Sequence, residues 1–67
     1  MAFAFRLLAQ IKIYAHEIER SDLDEPTKRL LYGDCFVMAQ RIRPSIDEFN
    51  ADYAHETLEA LGKLAHP

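Results

Sequence analysis

The stretch Lys28–Arg43, KRLLYGDCFVMAQRIR, constrains this chain most, because as a helix it is apolar around most of its circumference. A helix that is hydrophobic on most sides is normally covered on most sides. The sequence therefore predicts that this segment is the central element and that the flanking segments pack against it. Its apolar residues are Leu30, Leu31, Tyr32, Cys35, Phe36, Val37, Met38, Ala39 and Ile42.

The length of the chain sets a second limit. A sequence of 67 residues supplies one core, so we predict a single domain over residues 1–67. Scaffolds this small usually need a disulfide, a metal or a partner chain for stability. Cys35 is the one cysteine, which excludes an intramolecular disulfide. We therefore expect a partner chain to contribute to stability, and we expect no cofactor.

The N-terminal sequence MAFAFRLLAQIKIYA is apolar but is interrupted by Arg6 and Lys12. It lacks the continuous apolar region of a signal peptide, and no stretch approaches the roughly 18 apolar residues of a membrane span. We expect a cytoplasmic protein, with which a lone cysteine in an apolar run is compatible. The net charge of −3 argues weakly against nucleic acid as the main partner.

Residues 2–20 have the apolar spacing of a helix. The predicted core stripe is Ala4, Leu7, Ile11, Tyr14 and Ile18, widened by Leu8 and Ala15. Phe5 and Ile13 lie toward the opposite side of this helix. A second apolar edge of this kind is typical of a self-association surface.

Residues 26–42 form the predicted second helix. Pro26 suits a first helical turn, where its missing N–H costs nothing. Asp24 or Glu25, just before it, can accept hydrogen bonds from free N–H groups and complement the helix dipole.

The main apolar stripe of helix two is Leu31, Cys35, Met38 and Ile42, with Leu30 and Val37 beside it. We therefore expect Met38→Asp to unfold or dissociate the protein, because it would bury a charge. Gly33 costs helix stability, and its apolar neighbours favour a close helix crossing at this point.

Residues 46–63 form the predicted third helix, after Pro44 has ended the second. Ser45 and Glu48 have the spacing of a capping box, so Ser45→Ala is expected to cost about 1 kcal/mol. The predicted apolar stripe of the third helix is Ile46, Phe49, Tyr53, Ala54, Thr57, Leu58, Leu61 and Leu64.

The predicted fold class is all-α: a small three-helix bundle, or a helical hairpin plus a third helix. The apolar surplus of helices one and two indicates that a second copy completes the bundle by homodimerisation.

The strongest alternative chemistry is metal binding. Asp52 and His55, three residues apart, share a helical face, as in carboxylate-bridged metal sites of helical bundles. The weak candidate ligands are Asp52, His55, Glu56 and Glu59, with His16, Glu17 and Glu19 as a second set. An ordinary solvated polar face explains the same pattern better, so no metal is predicted.

Two further activities are disfavoured. Cys35 sits in the most apolar helix, which favours a core position over a nucleophile, although oxidation would join two chains if it lay near a two-fold axis. Nucleic-acid binding is disfavoured because residues 44–67 carry one basic and five acidic residues, which phosphates would repel.

The function that the sequence favours is that of a small non-enzymatic protein-interaction module, an adaptor or regulator. Its predicted contact residues are Phe5, Ile13, Asp52, Glu56 and Glu59, the last three suiting a basic partner surface. A metal-binding helical subunit and a small nucleic-acid-binding regulator remain as alternatives. The partner, the oligomer number and the biological process are not defined by the sequence.

Overall fold

A computed structural model describes residues 3–66, and every helix and strand statement below concerns those residues. They form three α-helices, α1 (Phe3–Arg20), α2 (Glu25–Ile42) and α3 (Ala51–Ala65), and no strands. Two short 3-10 turns, Arg43–Ser45 and Glu48–Asn50, connect α2 to α3. The all-α prediction is therefore confirmed. Ala2, at which we expected the first helix to begin, lies outside the described residues.

Helix α2 lies between the other two. It packs extensively against both α1 and α3, whereas α1 and α3 contact each other only sparsely. This confirms α2 as the central element. The expectation that α2 is covered on most sides is not met, however, because Leu30 is 73% exposed and Val37 and Met38 are also exposed.

The buried stripe of α1 differs from the predicted one by a rotation about the helix axis. Its buried residues are Leu8, Ile11, Ala15 and Ile18. Leu7 and Tyr14, which we placed in the core, are exposed. All four buried residues belong to the predicted stripe, which Leu8 and Ala15 widened, and the side of that stripe with Leu7 and Tyr14 is the one left exposed. Both sides have helical spacing, so the sequence of α1 alone does not select between them. Packing of the three helices buries the side that carries Leu8 and Ala15.

The start of α2 agrees with the prediction. The carboxylate of Asp24 accepts a hydrogen bond from the Thr27 backbone N–H at 2.9 Å, and Pro26 occupies the first turn. The preceding turn is closed by Ser21, whose hydroxyl donates to the Ile18 carbonyl at 2.6 Å. Lys28 Nζ donates to the Glu19 carbonyl at 3.0 Å and so joins the start of α2 to the end of α1.

The start of α3 differs from the prediction. Ser45 is not the N-cap; it lies in the first 3-10 turn. Ile46 and Asp47 are extended, and the Asp47 carboxylate accepts from the Asn50 backbone N–H at 3.1 Å. The α-helix then begins at Ala51 and continues to Ala65, instead of spanning 46–63. Asp47 is an equally good or better cap than Ser45, and the extended backbone lets Ile46 pack against the core.

This later start moves Phe49 out of the predicted apolar stripe. Phe49 is 97% exposed in the second 3-10 turn. Residues Ala54, Thr57, Leu61 and Ala65 form the buried face of α3. Ala54 and Leu61 join the core with Cys35 and Ala39 of α2, each at most 3% exposed.

The close helix contact at a glycine occurs at Gly62 and not at Gly33. A Cβ added to Gly62 would lie 3.4 Å from Cε1 of Phe36, on the facing helix. A Cβ added to Gly33 would meet nothing within 4 Å. Gly33 therefore leaves open space on the outside of α2, and the crossing we assigned to it within the chain is absent.

Candidate interaction surface

The largest departure from a covered core is an exposed apolar surface that runs along the outside of α1 and α2. Its members are exposed by between 39% and 73%, and we call them the outer patch: Leu7, Tyr14, Leu30, Val37 and Met38. Leu7 and Tyr14 lie seven residues apart on α1, and Leu30 and Val37 are seven apart on α2, which places each pair on one helical face. Single exposed apolar residues are ordinary, but a contiguous group is typical of an interaction site.

Shallow grooves connect the members of the outer patch, with Leu30 joined to Val37 by a groove that both residues line. One groove between α1 and α2, of about 510 Å³, is lined by Leu7, Tyr14, Met38 and the partly buried Ile42. A second, of about 420 Å³, is lined by Tyr14, Leu31, Val37 and Met38. The walls of the first groove are almost entirely apolar, so water in it has few hydrogen-bond partners and its displacement by an apolar side chain is favourable.

Two opposite charges lie inside the outer patch. Asp34 and Arg41 are both exposed and both line the second groove. They are seven residues apart on α2, too far for a mutual contact along one helix. The ion pairs found within residues 3–66 join other residues. The patch thus presents one free carboxylate and one free guanidinium among apolar side chains.

Of the two apolar contact residues that we predicted, Phe5 is engaged within the chain. Its ring packs against that of Tyr53 on α3 at 5.2 Å between centroids, and Lys12 Nζ lies 4.9 Å from the same Tyr53 ring. Phe5 is therefore half-buried within the bundle, and its role as a contact residue stays a prediction. Ile13 is exposed, but it lies about 100° around α1 from Tyr14 and outside the outer patch.

The predicted acidic contact residues, Asp52, Glu56 and Glu59, are all exposed on α3 and form what we call the acidic face. Its charge is partly compensated. Glu59 lies 3.9 Å from Lys63 Nζ and 3.8 Å from Nε2 of His55. Glu56 lines a separate groove of about 440 Å³ between α1 and α3, opposite Lys12 and His16.

The weak metal candidates are not gathered into a ligand set. Across residues 3–66, no three His, Cys, Asp or Glu side chains are grouped as one metal ion would require. His16 pairs with Glu19 at 3.7 Å on α1, and His55 pairs with Glu59 on α3. A metal centre would have to recruit ligands from a second chain, so metal binding stays an untested hypothesis.

Cys35 is completely buried. Burial, with a smaller contribution from Asp34, raises the pKa of its thiol. A raised pKa disfavours the thiolate, which is the nucleophilic form. The proposed disulfide between two copies through Cys35 is contradicted, because the sulfur is enclosed by the chain's own core. Burial likewise raises the pKa of Tyr32, with Glu19 and Glu25 adding to the effect.

We did not predict Leu7, Tyr14 or Asp34 to be surface residues of functional interest. One signal in the sequence was available. Asp34 and Arg41 are placed seven apart, with Leu30 and Val37 on one side and Leu31 and Met38 on the other. Opposite charges within an apolar stripe are characteristic of helices that pair with another helix.

The fold and this surface define a small all-α three-helix chain with an exposed apolar face. No protein-family model, no curated protein and no solved structure matches the sequence or the fold. Within the described part of the chain, no helix combines the length and the apolar character needed to cross a membrane.

Proposed function

We propose that this chain is a small, non-enzymatic protein-interaction module and that the outer patch is its contact surface. The observation that carries the proposal is the contiguity of five exposed apolar side chains on two helices, which line adjoining grooves. Leaving such a surface in water is unfavourable, by roughly 25 cal/mol for each Å² of apolar area. The non-enzymatic part is supported by the burial of Cys35, whose raised thiol pKa works against nucleophilic chemistry.

The simplest occupant of the outer patch is a second copy of the chain. A 67-residue scaffold with one buried, unpaired cysteine gains stability most directly from association. Closed two-fold symmetry uses the same patch on both copies and leaves none exposed. The cytoplasm is the proposed location, since a free buried thiol is compatible with a reducing compartment.

The test compares the wild-type chain with Met38→Asp by light scattering after gel filtration. Gln40→Asp is the matched control, because it adds the same charge to an exposed position of α2 outside the outer patch. We expect association of the wild type and of the control, and its loss in Met38→Asp. Equal association of all three chains would contradict the outer patch as the contact surface.

The acidic face supports a second contact within the same proposed function, with a basic protein partner. Asp52 and Glu56 are exposed, while Glu59 is compensated by Lys63. Binding through such exposed charges is salt-dependent. A basic helical peptide titrated at low and high salt tests this contact, with Asp52→Asn/Glu56→Gln as the comparison; salt-independent binding, or unchanged binding to that variant, would contradict it.

A further inference from the structure

We infer that the outer patch pairs two copies of this chain through antiparallel α2 helices, with the two-fold axis passing between Val37 and Met38. This inference rests on the proposed function above and specifies its partner and register. It follows from the positions of Asp34 and Arg41 within the apolar surface of α2.

The first step is geometric. A two-fold axis perpendicular to α2, between Val37 and Met38, sets Val37 of one copy against Met38 of the other. Asp34 lies three residues before Val37, and Arg41 lies three residues after Met38. Each Asp34 therefore faces Arg41 of the other copy, and two identical ion pairs flank an apolar centre. This self-complementarity is what a two-fold interface requires.

The second step excludes the other direction. In a parallel two-fold pair, each residue faces its own equivalent. Asp34 would then face Asp34, and Arg41 would face Arg41. Like charges in direct contact are repulsive, and their repulsion increases as apolar side chains exclude water. The charge pattern on α2 therefore selects the antiparallel arrangement.

The third step concerns access. Asp34 and Arg41 are exposed, and the ion pairs within residues 3–66 do not use them. Leu30 and Val37 lie on one side of the two charges and Leu31 and Met38 on the other. Gly33 presents open space on the same helix, so no side chain projects there against an approaching helix. Tyr14 borders the groove and extends the apolar contact onto α1.

The experiment uses two full-length variants, Asp34→Arg and Arg41→Asp. Alone, each places like charges together in both pairs of the dimer. Mixed in equal amounts, they form a heterodimer in which both pairs are attractive, because one chain carries two arginines and the other two aspartates. We expect each variant alone to dimerise at least about tenfold more weakly than the wild type, and the mixture to recover wild-type affinity.

The net charges of the two variants do not account for a recovery of affinity on mixing. The substitutions change the net charge from −3 to −1 and to −5, so the two variants still repel each other overall. Asp52→Arg and Arg6→Asp give the same net charges at exposed positions outside α2 and form the control mixture. Circular dichroism checks that all four chains fold. We expect the control chains to dimerise alone as well as they do when mixed.

Each other outcome separates this inference from the proposed function. One outcome is that the wild type dimerises, Met38→Asp abolishes the dimer and the charge variants have no effect. The antiparallel pairing of Asp34 with Arg41 is then overturned, but the outer patch remains the contact surface. If the wild type stays monomeric at millimolar concentration, the inference that a second copy covers the outer patch is overturned. The proposed function is then decided by whether any protein bound by the wild type is lost with Met38→Asp and retained with Gln40→Asp.

Discussion

Two aspartates, Asp24 and Asp47, each accept a backbone N–H at the start of a helical segment. An N-cap carboxylate satisfies a donor that the helix leaves free and interacts favourably with the helix dipole. The two sites differ in what precedes them. Asp24 follows a turn closed by Ser21, whereas Asp47 follows a proline and a serine that offer a competing cap.

Substitution at the second site separates the two candidate caps. Asp47→Ala is expected to lower the free energy of unfolding by about 1 kcal/mol, because the Asn50 N–H loses its acceptor. Ser45→Ala is expected to leave it unchanged, since the Ser45 side chain caps no helix. Chemical denaturation of both variants provides the measurement. A loss confined to Ser45→Ala would restore the boundary that the sequence pattern suggested.

Asp24 gives a prediction about pH. Hydrogen bonds from Thr27, first from its side chain and then from its backbone N–H, lower the pKa of the Asp24 carboxyl. A carboxyl with a lowered folded-state pKa stabilises the fold above its unfolded-state pKa, and this contribution is lost as pH falls through the folded-state pKa. The thermal midpoint of Asp24→Ala should therefore lie below that of the wild type at neutral pH. The difference should shrink in acid, and a constant difference would argue against the carboxylate as its cause.

At the scale of elements, the two faces of α2 have opposite roles at adjacent positions. Ala39 is fully buried, whereas Met38 is 42% exposed. Ala39→Asp buries an unpaired charge. The free-energy cost of this burial exceeds the roughly 3–5 kcal/mol of stability that a core this small supplies. We expect Ala39→Asp to lose its helical circular dichroism and Met38→Asp to keep it. Unfolding of Met38→Asp at all concentrations would indicate that Met38 belongs to the core.

The two glycines of the helices make a matched pair. Alanine in place of Gly33 meets open space and gains helix propensity, so Gly33→Ala should raise the free energy of unfolding of the single chain by about 1 kcal/mol. Gly62→Ala brings a methyl group into contact with Phe36, and its gain should be smaller. Thermal unfolding at low protein concentration compares them. An equal gain at both positions would contradict the close contact at Gly62.

The elements that the sequence predicted well are those whose ends carry a local signal. Pro26 and Asp24 define the start of α2 because proline and an acidic cap act within one turn. The rotation of α1 was not predictable in this way. The stripes through Leu7 and through Leu8 both satisfy the helical period, and only the facing surface of α2 selects one of them. The start of α3 was predicted wrongly because two possible N-cap residues, Ser45 and Asp47, lie within three residues of each other.

At the scale of the whole molecule, the exposed apolar surface arises from how the three helices share one core. Helix α2 buries Tyr32, Cys35 and Ala39 on one side and packs against both of its neighbours. Its opposite side is left uncovered although it is also apolar. The outer patch could not be predicted from periodicity, because it combines residues of α1 and α2 that become neighbours only after both helices dock.

This arrangement predicts a stability that depends on concentration. If a second copy covers the outer patch, dimerisation stabilises the folded chain by mass action, and the thermal midpoint rises with protein concentration. Differential scanning calorimetry over a hundredfold range of concentration should show this rise for the wild type and for Gln40→Asp. Met38→Asp should keep a constant midpoint, because its charge blocks burial of the patch while leaving the core intact. A midpoint independent of concentration in all three chains would mean that the chain folds as a monomer and that the outer patch contributes nothing to its stability.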